Sequence, residues 1–337
     1  MLDRLTTYFA RRLAPRADVR VLSLTRMSEG FSQETFRVEL AWRDGDGRQV
    51  ATYVIRRQPL AGLLEPYDTE PEYRVLAALA ATPVRAPRVY WYERDPTIFE
   101  RPFYAMELVR GTVPLPVMVE GKAVFTDDER VRLGADFVAI LAALHAVDWR
   151  AAGLDFLGVP NDGVGVAARE LARWEGYIGR AAGPPRPILA EAVLWLRRAL
   201  PTTDAITLVH GDYRTGNFLV DGGRIAAILD WEMVHLGDPM EDLGWACMAL
   251  WRGESPYMCH LLDREQLYTR YEECSGRRVD RERVHFYEVL ATVKMAAIML
   301  TGLHAFRDGR TRDLRMALFD HQWAYMAAAI AQARGLL

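Results

Sequence analysis

The sequence is poor in lysine and cysteine and lacks a long uninterrupted apolar segment. Only two of its 42 basic residues are lysine, Lys122 and Lys294, so an enzyme that needs a lysine beside a phosphate has almost none available. The three cysteines are odd in number and have no CxxC spacing, which argues against a disulfide framework and against a zinc site. The longest apolar stretch, about 289–303, contains Lys294 and is too short to span a bilayer comfortably.

The chain also lacks a strong excess of either charge. Its formal net charge is −3 at pH 7, which gives no overall attraction to nucleic acid or to an anionic membrane. Residues 1–15 have the spacing of a short amphipathic helix and lack the continuous apolar core of a secretory signal. Half of the 337 residues are hydrophobic, which is enough for a large core. We therefore expect a cytoplasmic globular protein without a nucleic-acid or membrane partner, and the composition leaves its oligomeric state open.

The first third of the chain has the alternating pattern of β-strands, with one helix inserted. Three strand-like segments, the last two joined by the turn sequence Asp44-Gly45-Asp46-Gly47, predict a β-meander. A helix is expected where apolar residues recur at helical spacing, and it ends before Pro83. The predicted strands are 19–26, 35–42, 50–56, 88–93 and 103–108, and the predicted helix is 69–81.

After residue 109 the pattern becomes mainly helical, which predicts an α+β protein with two domains, 1–109 and 110–337. Thr126 and Glu129 form a capping-box signature at the start of one helix, which continues to about His145. Two helices follow between residues 149 and 201, separated by the breaker Gly183-Pro184-Pro185. The remaining predictions are strands at 205–209, 218–220 and 225–229 and helices at 239–251, 263–274, 281–305 and 312–333.

The most informative stretch is 208–232, which has the pattern strand, loop, strand, turn, strand, loop. His210, Gly211, Asp212 and Asn217 lie on the first loop, and Asp230 lies at the end of the last strand. Phosphoryl transfer needs a carboxylate that positions a hydroxyl and accepts its proton, and oxygen ligands that hold Mg²⁺ against nucleotide phosphates. The predicted hairpin brings Asn217 and Asp230 close together, so the stretch points to phosphoryl transfer.

This stretch resembles the HGDxxxxN and DxE or DxD signatures of the aminoglycoside phosphotransferase-like family, whose fold is related to that of protein kinases. The resemblance implies a bilobal protein-kinase-like fold, with a small β-rich nucleotide-binding lobe (1–109) and a larger helical lobe for catalysis and acceptor binding (110–337). It implies that Asp212 is the catalytic base and that His210, counted with the catalytic residues, supports the loop. Asn217 and Asp230 are then the Mg²⁺ ligands, and ATP or GTP is the phosphate donor.

The resemblance extends to the first 109 residues. The segment Gly30-Phe31-Ser32-Gln33-Glu34-Thr35 is similar to the family's nucleotide loop, which implies that Gly30 and Ser32 approach phosphate. Arg56 stands where protein kinases have the lysine that contacts the nucleotide phosphates. Because side chains alternate along a strand, Val54 shares a face with Arg56 and could contact the adenine.

Two further positions complete the implied nucleotide site. Glu72, early in the predicted helix, is the candidate partner of Arg56, and Glu70 is the competing choice. The stretch Met106-Glu107-Leu108-Val109 resembles the hinge, where the backbone of Glu107 and Val109 would meet the purine ring.

The run Gly237-Asp238-Pro239-Met240-Glu241-Asp242-Leu243-Gly244-Trp245 also resembles the family. It implies that Asp242 hydrogen-bonds the backbone of the catalytic loop and that Asp238 caps a helix. Only 11 residues separate Asp230 from Asp242, which leaves no room for the activation segment of a protein kinase. The expected acceptor is therefore a small molecule.

The acceptor itself is less constrained. Acidic and basic residues are mixed in the late helices, so no strongly acidic pocket for a polycationic aminoglycoside is indicated. The sequence is most similar to the branch related to the kinase domains fused to acyl-CoA dehydrogenases, which implies a hydroxyacyl-CoA or hydroxy acid as acceptor. An antibiotic kinase and a catalytically silent nucleotide-binding module are the alternatives. Four aromatic residues could line the acceptor site or belong to the core: Trp174, Tyr177, Trp251 and Tyr257.

Overall fold

The computed structural model describes residues 1–27, 33–45, 47–115, 124–181 and 183–337. The chain divides into two compact units, residues 1–77 with 87–109, and residues 78–86 with 110–337. The predicted boundary between residues 109 and 110 did not include this exchange of residues 78–86. They belong to the second unit because Arg85 O accepts a hydrogen bond from Ile228 N at 2.7 Å and Arg85 Nη1 donates to Ile225 O at 2.7 Å.

The first unit is built on an antiparallel sheet of five strands in the order β1-β2-β3-β5-β4. Its strands are β1 (Ala17–Arg26), β2 (Glu34–Asp44), β3 (Gly47–Arg57), β4 (Val89–Glu93) and β5 (Phe103–Glu107). Its helices are α1 (Leu2–Arg12), α2 (Glu70–Leu79, whose last two residues belong to the second unit) and the short α3 (Pro96–Phe99). The meander and the inserted helix are as the sequence predicted, with boundaries that differ by a few residues.

One face of this sheet carries the core of the first unit. Val38 and Leu40 on β2 and Ile55 on β3 are fully buried, and they form one apolar cluster with Leu5 and Phe9 of α1. The alternation of inward apolar and outward polar residues along β2 explains why this segment is a half-buried strand. The other face of β3 is therefore available for polar side chains such as Arg56.

The second unit contains the remaining strands and most of the helices. Its strands are β6 (Thr207–Val209), β7 (Phe218–Asp221), β8 (Arg224–Ile228) and β9 (His235–Gly237). Its helices are α4 (Asp127–His145), α5 (Gly165–Arg180), α6 (Pro187–Arg198), α7 (Met240–Cys247), α8 (Arg264–Ser275), α9 (Arg281–Arg307), α10 (Leu314–Ala317) and α11 (Trp323–Ala333). The capping box predicted for α4 is present, because Thr126 Oγ1 accepts from Glu129 N and the Glu129 carboxylate accepts from Thr126 N.

Helix α9 forms the centre of the second unit. Among the described residues it is the one helix long and apolar enough to cross a membrane, but 78% of its most apolar window is buried inside the protein. Gly244 on α7 allows the two helices to approach, since a Cβ there would lie 2.7 Å from the backbone of Tyr287. Helix α9 is therefore the core helix around which the unit packs.

The second unit differs from the sequence prediction in three details. The sequence did not indicate β9, which pairs with β6 in antiparallel register. The helix predicted for 239–251 ends at Cys247, because the next residue, Met248, has an extended backbone. The helix predicted for 312–333 is broken into α10 and α11 by a turn in which Asp320 pairs with Arg186 and Arg307.

Candidate active site

Asp212 lies on the loop between β6 and β7, and its carboxylate is fixed by several hydrogen bonds. Its Oδ1 accepts hydrogen bonds from Trp245 Nε1 at 2.7 Å and from Arg214 Nε at 2.8 Å. Its Oδ2 accepts from Asn217 Nδ2 at 2.5 Å. Three donors from three different side chains fix the orientation of this carboxylate, whose side chain remains 14% exposed. A carboxylate held in this way can orient an acceptor hydroxyl.

Asn217 and Asp230 stand beside one another at one end of the hairpin formed by β7 and β8. Leu229, the residue before Asp230, donates its N–H to Asn217 O at 2.7 Å. Asp230 itself has a left-handed backbone (φ 66°), a strained conformation that aspartate tolerates better than most residues. The hairpin thus brings Asn217 and Asp230 together, as the sequence predicted.

The donor set of this pair fits a hard divalent cation. The Asn217 amide nitrogen is turned to Asp212, where it also donates to the backbone oxygen at 3.0 Å, so the amide oxygen faces elsewhere. In the described part of the chain no residue donates to that oxygen. An amide oxygen and a carboxylate are ligands that Mg²⁺ accepts.

His210 is fully buried and connects the loop between β6 and β7 to the segment that follows β8. Its Nδ1 accepts a hydrogen bond from Asp212 N at 3.1 Å, so the neutral ring carries its proton on Nε2 and donates to Leu229 O at 3.0 Å. The ring also lies 4.6 Å from that of Trp231. Both ring nitrogens bond to backbone groups, so neither is available for proton transfer. His210 therefore supports the loop.

Asp242, at the start of α7, anchors the same loop. Its two carboxylate oxygens accept from His210 N and Gly211 N, each at 2.9 Å, and His145 Nε2 lies 3.1 Å away. Complete burial acts to raise the pKa of Asp242, but the hydrogen bonds from the His145 side chain and from the backbone of His210 outweigh it and lower the pKa. The predicted contact of Asp242 with the loop backbone is confirmed.

Asp238 receives more partners than a helix cap requires. It accepts from Met240 N at 2.8 Å at the start of α7, as expected. It also accepts from Thr203 Oγ1 at 2.6 Å and pairs with Arg283 at 3.3 Å. Asp238 therefore joins α7 to α9 as well as capping α7.

The four aromatic candidates divide into two pairs. Trp251 lies under the guanidinium of Arg214, 4.1 Å from its ring centroid, and so stands beside the aspartate loop. Tyr257 is contacted in the same manner by Arg130 at 3.8 Å. The other two, Trp174 and Tyr177, stack on each other in the core, with ring centroids 5.0 Å apart.

In the first unit, Arg56 is paired with Glu72. Arg56 Nη2 lies 3.6 Å from Glu72 Oε1, and Arg56 Nε donates to Gln33 Oε1 at 3.0 Å. Gln33 in turn donates to Glu72 Oε2 at 2.8 Å, so the three side chains form a closed set. The competing candidate, Glu70, pairs instead with Arg94.

The other predicted nucleotide contacts are placed as follows. Val54 is buried on β3 and pairs in register with Met106. The N–H of Glu107 is donated to Arg88 O at 2.8 Å, and the contact of the Glu107 backbone with a purine stays a prediction. Val109, half-buried, ends the first unit. Gly30 and Ser32 lie outside the described residues.

Sequence reasoning missed three residues that contact the predicted site. Arg214 occupies a variable position of the HGDxxxxN pattern, and Trp245 ends the GDPMEDLGW run, where it had no assigned role. Gln33 lies in the proposed nucleotide loop, but its bridge from Arg56 to Glu72 was not expected. The sequence signal that could have found them is the presence of polar side chains within or beside the motifs.

A unit with a five-stranded antiparallel sheet and a buried arginine–glutamate pair, followed by a helical unit with this aspartate loop and hairpin, defines a kinase-like phosphotransferase fold. Residues 23–287 match the model of the phosphotransferase enzyme family. The chain belongs to this family.

Individual similar proteins agree with the assignment. Acyl-CoA dehydrogenase family member 10 of Mus musculus is 29% identical over 231 residues, which cover 68% of this chain and 20% of that protein. The chain therefore spans about a fifth of the length of this curated relative. It resembles the kinase-like part of such relatives, and the activity of the whole relative does not transfer with the likeness.

Solved structures share the complete fold. The crystal structure of a candidate aminoglycoside phosphotransferase from Ralstonia eutropha JMP134 has a TM-score of 0.75 and 26% identity, covering 98% of this chain and 97% of that one. A thermostable mutant of an aminoglycoside phosphotransferase, solved with ADP and hygromycin B, has a TM-score of 0.52 and 17% identity over 96% of this chain and 98% of that one. The second likeness is evidence of the fold alone.

Proposed function

We propose that the protein transfers the γ-phosphate of ATP or GTP to a hydroxyl group of a small molecule. The observation that carries this proposal is the loop and hairpin in which Asp212 is held by Trp245, Arg214 and Asn217, with Asp230 beside Asn217. Family membership and the ADP bound to a protein of similar fold support a nucleotide as the donor.

Each site residue of the second unit has one role in this proposal. Asp212 orients the acceptor hydroxyl and takes its proton as the phosphate is transferred. Asn217, through its amide oxygen, and Asp230, through its carboxylate, would hold Mg²⁺, which when bound offsets negative charge on the nucleotide phosphates. His210 and Asp242 keep the loop in place. Catalysis then depends mainly on positioning and charge compensation.

In the first unit, Arg56 is proposed to contact the nucleotide phosphates. Arginine keeps the positive charge of the lysine usual at this position and adds a planar fork of donors. Glu72 and Gln33 contact the guanidinium, so the side chain has a defined orientation before the nucleotide binds. The purine would be met by Val54 and by the backbone near Val109.

For the acceptor, we propose a hydroxyacyl-CoA or a hydroxy acid. The similarity to acyl-CoA dehydrogenase family member 10 supports this class. Arg214 supports it as well, because its positive charge lies 2.8 Å from the oxygen of Asp212 and would repel a polycationic aminoglycoside. A silent module is disfavoured because Asp212, Asn217 and Asp230 are all present in one arrangement. The proposal includes a cytoplasmic location.

One acceptor screen tests the proposal. The protein is incubated with Mg-ATP or Mg-GTP and a panel of hydroxyacyl-CoAs, hydroxy acids, amino alcohols and aminoglycosides, and nucleoside diphosphate release is measured. We expect stimulation by a member of the first two groups and a fall of about 10²–10⁴-fold in the Asp212→Asn variant, with nucleotide binding retained in a thermal-shift titration. Stimulation by aminoglycosides alone would overturn the acceptor class. Unchanged turnover in Asp212→Asn would overturn the mechanism.

A further inference from the structure

A group of ionisable side chains is buried in the second unit, and the proposed mechanism does not use it. It consists of Glu170 on α5, His235 on β9, Glu241 on α7 and Lys294 on α9, and none of the four is more than 5% exposed. Lys294 Nζ lies 2.6 Å from Glu241 Oε1 and 3.2 Å from Glu170 Oε1. His235 Nε2 lies 3.1 Å from Glu241 Oε2. Four buried ionisable side chains call for a physical explanation, because removing charged groups from water costs free energy.

Metal binding is not that explanation. Glu170, His235 and Glu241 offer ligand atoms close enough together to hold an ion, but the ammonium of Lys294 already lies between the two carboxylates and compensates their charge. Burial acts to lower the pKa of Lys294, but Glu241 and Glu170 outweigh it and raise the pKa, which keeps the lysine charged. The group is therefore a set of ion pairs centred on one of the two lysines of the chain.

The ion pairs lead directly to Trp245. Glu241 and Trp245 are four residues apart on α7 and so share one face of the helix. Lys294 Nζ lies 5.3 Å from the ring centroid of Trp245 and 5.3 Å from that of Trp174. An ammonium at this distance is attracted by the face of an indole ring. The lysine that pairs with Glu241 thus also contacts the ring of Trp245.

The other end of Trp245 contacts the catalytic loop. The ring is 1% exposed, and its only donor, Nε1–H, is directed at Asp212 Oδ1 over 2.7 Å. Arg214, the second donor to this oxygen, lies on a long flexible side chain that is 19% exposed. Trp245 is the more rigid of the two, because a buried indole has few ways to move.

We propose that Trp245 is a positioning residue that fixes the carboxylate of Asp212, and that the buried ion pairs of Lys294 hold its ring in place. This inference rests on the proposed role of Asp212 as catalytic base. Trp245 does not touch the acceptor or the phosphate. It determines which direction Asp212 presents to the acceptor hydroxyl, so its loss should lower the rate of transfer and leave nucleotide affinity unchanged.

The decisive variant is Trp245→Phe, which keeps an aromatic ring and removes the N–H. We expect kcat for the acceptor found in the screen to fall by about 10- to 100-fold, the range for a lost hydrogen bond to a charged group. KM for the nucleotide should stay within about twofold, since Trp245 donates to Asp212 and packs beside Trp251, and neither residue is proposed to bind the nucleotide.

Trp149→Phe is the matched control. Trp149 is 4% exposed, and its indole donates to Ile206 O at 2.9 Å, so the variant loses a similar hydrogen bond and similar packing without contact to Asp212. We expect the two variants to lower Tm comparably and Trp149→Phe to keep its kcat within about twofold. An equal loss of kcat in both would overturn the proposal, and so would an unchanged kcat in Trp245→Phe.

A measurement without acceptor separates the possible failures. The indole N–H signal of Trp245, assigned by its absence in Trp245→Phe, is followed in ¹H–¹⁵N spectra of the whole chain. In Asp212→Asn we expect this signal to shift more than that of Trp149, because its charged acceptor has been neutralised. If Asp212→Asn loses turnover but the Trp245 signal does not move, the positioning role is wrong. If Asp212→Asn keeps its turnover, the proposed function itself fails.

Turnover in the double variant gives the same answer independently. Adding Trp245→Phe to Asp212→Asn should change the residual rate by less than about twofold, because the residue acts only through Asp212. Adding Trp149→Phe provides the reference for a change that is purely structural. A full 10- to 100-fold additional loss from Trp245→Phe in this background would contradict the inference.

Discussion

Arg56 is held by Glu72 and not by Glu70: its Nη2 lies 3.6 Å from Glu72 Oε1, while Glu70 pairs with Arg94. Glu72 is 3% exposed, so its charge acts on Arg56 with little screening by solvent. The two glutamates lie in the same turn of α2 but have different partners. This difference identifies Glu72, and not Glu70, as the partner of Arg56.

Replacement of these glutamates tests the pairing. We expect Glu72→Gln to raise KM for the nucleotide by about tenfold, because the guanidinium loses the charge that orients it. Glu70→Gln, two residues away and paired at the surface, should leave KM within about twofold. Nucleotide saturation curves for both variants provide the measurement. Equal KM values would mean that the orientation of Arg56 does not depend on Glu72.

Gly211 is required by the geometry of the loop between β6 and β7. Its φ is +84°, and a Cβ there would lie 2.7 Å from Met233 O. Gly211→Ala therefore combines left-handed strain with a backbone clash and should lower the free energy of unfolding by about 3 kcal/mol or more. Gly222→Ala is the control, because Gly222 also has a positive φ but open space around its Cβ position, and should cost about 1 kcal/mol. Urea unfolding measures both, and equal losses would rule out the clash.

Asp136 should give the protein a specific dependence on acid. This buried residue of α4 accepts from Arg224 Nε at 2.7 Å and Ile225 N at 3.0 Å, and Arg85 lies 3.1 Å away. Burial acts to raise its pKa, but these partners outweigh burial and lower it. Since the folded pKa lies below the unfolded value, the stabilisation is complete above about pH 4 to 5 and disappears as the pH falls through the folded pKa.

The variant Asp136→Asn makes this dependence measurable. At pH 7 we expect it to lower the free energy of unfolding by about 1–3 kcal/mol. The difference from the unmodified protein should shrink progressively below about pH 4, because both proteins then carry a neutral side chain at this position. Urea unfolding at several pH values gives the comparison. A difference that grows toward low pH would reverse the assigned sign.

Those parts of the fold that depend on local pattern were predictable from the sequence. The strands β2 and β3 alternate in polarity. Thr126 and Glu129 predict the start of α4, because they form a capping box between themselves. The closeness of Asn217 and Asp230 was predictable because a short hairpin joins them.

The missed features depend on contacts between distant segments. Strand β9 has only three residues and exists because it pairs with β6, which lies well before it in the chain. Trp245 has the pattern of a core residue, and nothing in its neighbours shows that its N–H meets Asp212. The hydrogen bond from Glu107 N to Arg88 O likewise joins β5 to a residue that lies just before β4. Local sequence reports periodicity and spacing, and it is silent on which polar atoms of packed segments meet.

The acceptor class should depend on the charge of Arg214. This residue donates to Asp212 and lies over the ring of Trp251, so its charge stands beside the position proposed for the acceptor hydroxyl. In Arg214→Gln we expect a general fall in turnover, because Asp212 loses one donor, and an additional loss of about tenfold for anionic acceptors relative to neutral or cationic ones. The ratio of kcat/KM values between a hydroxy acid and an amino alcohol isolates the second effect. Arg197→Gln, which breaks a pair with Glu175 between α5 and α6, should leave that ratio unchanged. A constant ratio in Arg214→Gln would mean that Arg214 serves Asp212 alone and does not select the acceptor.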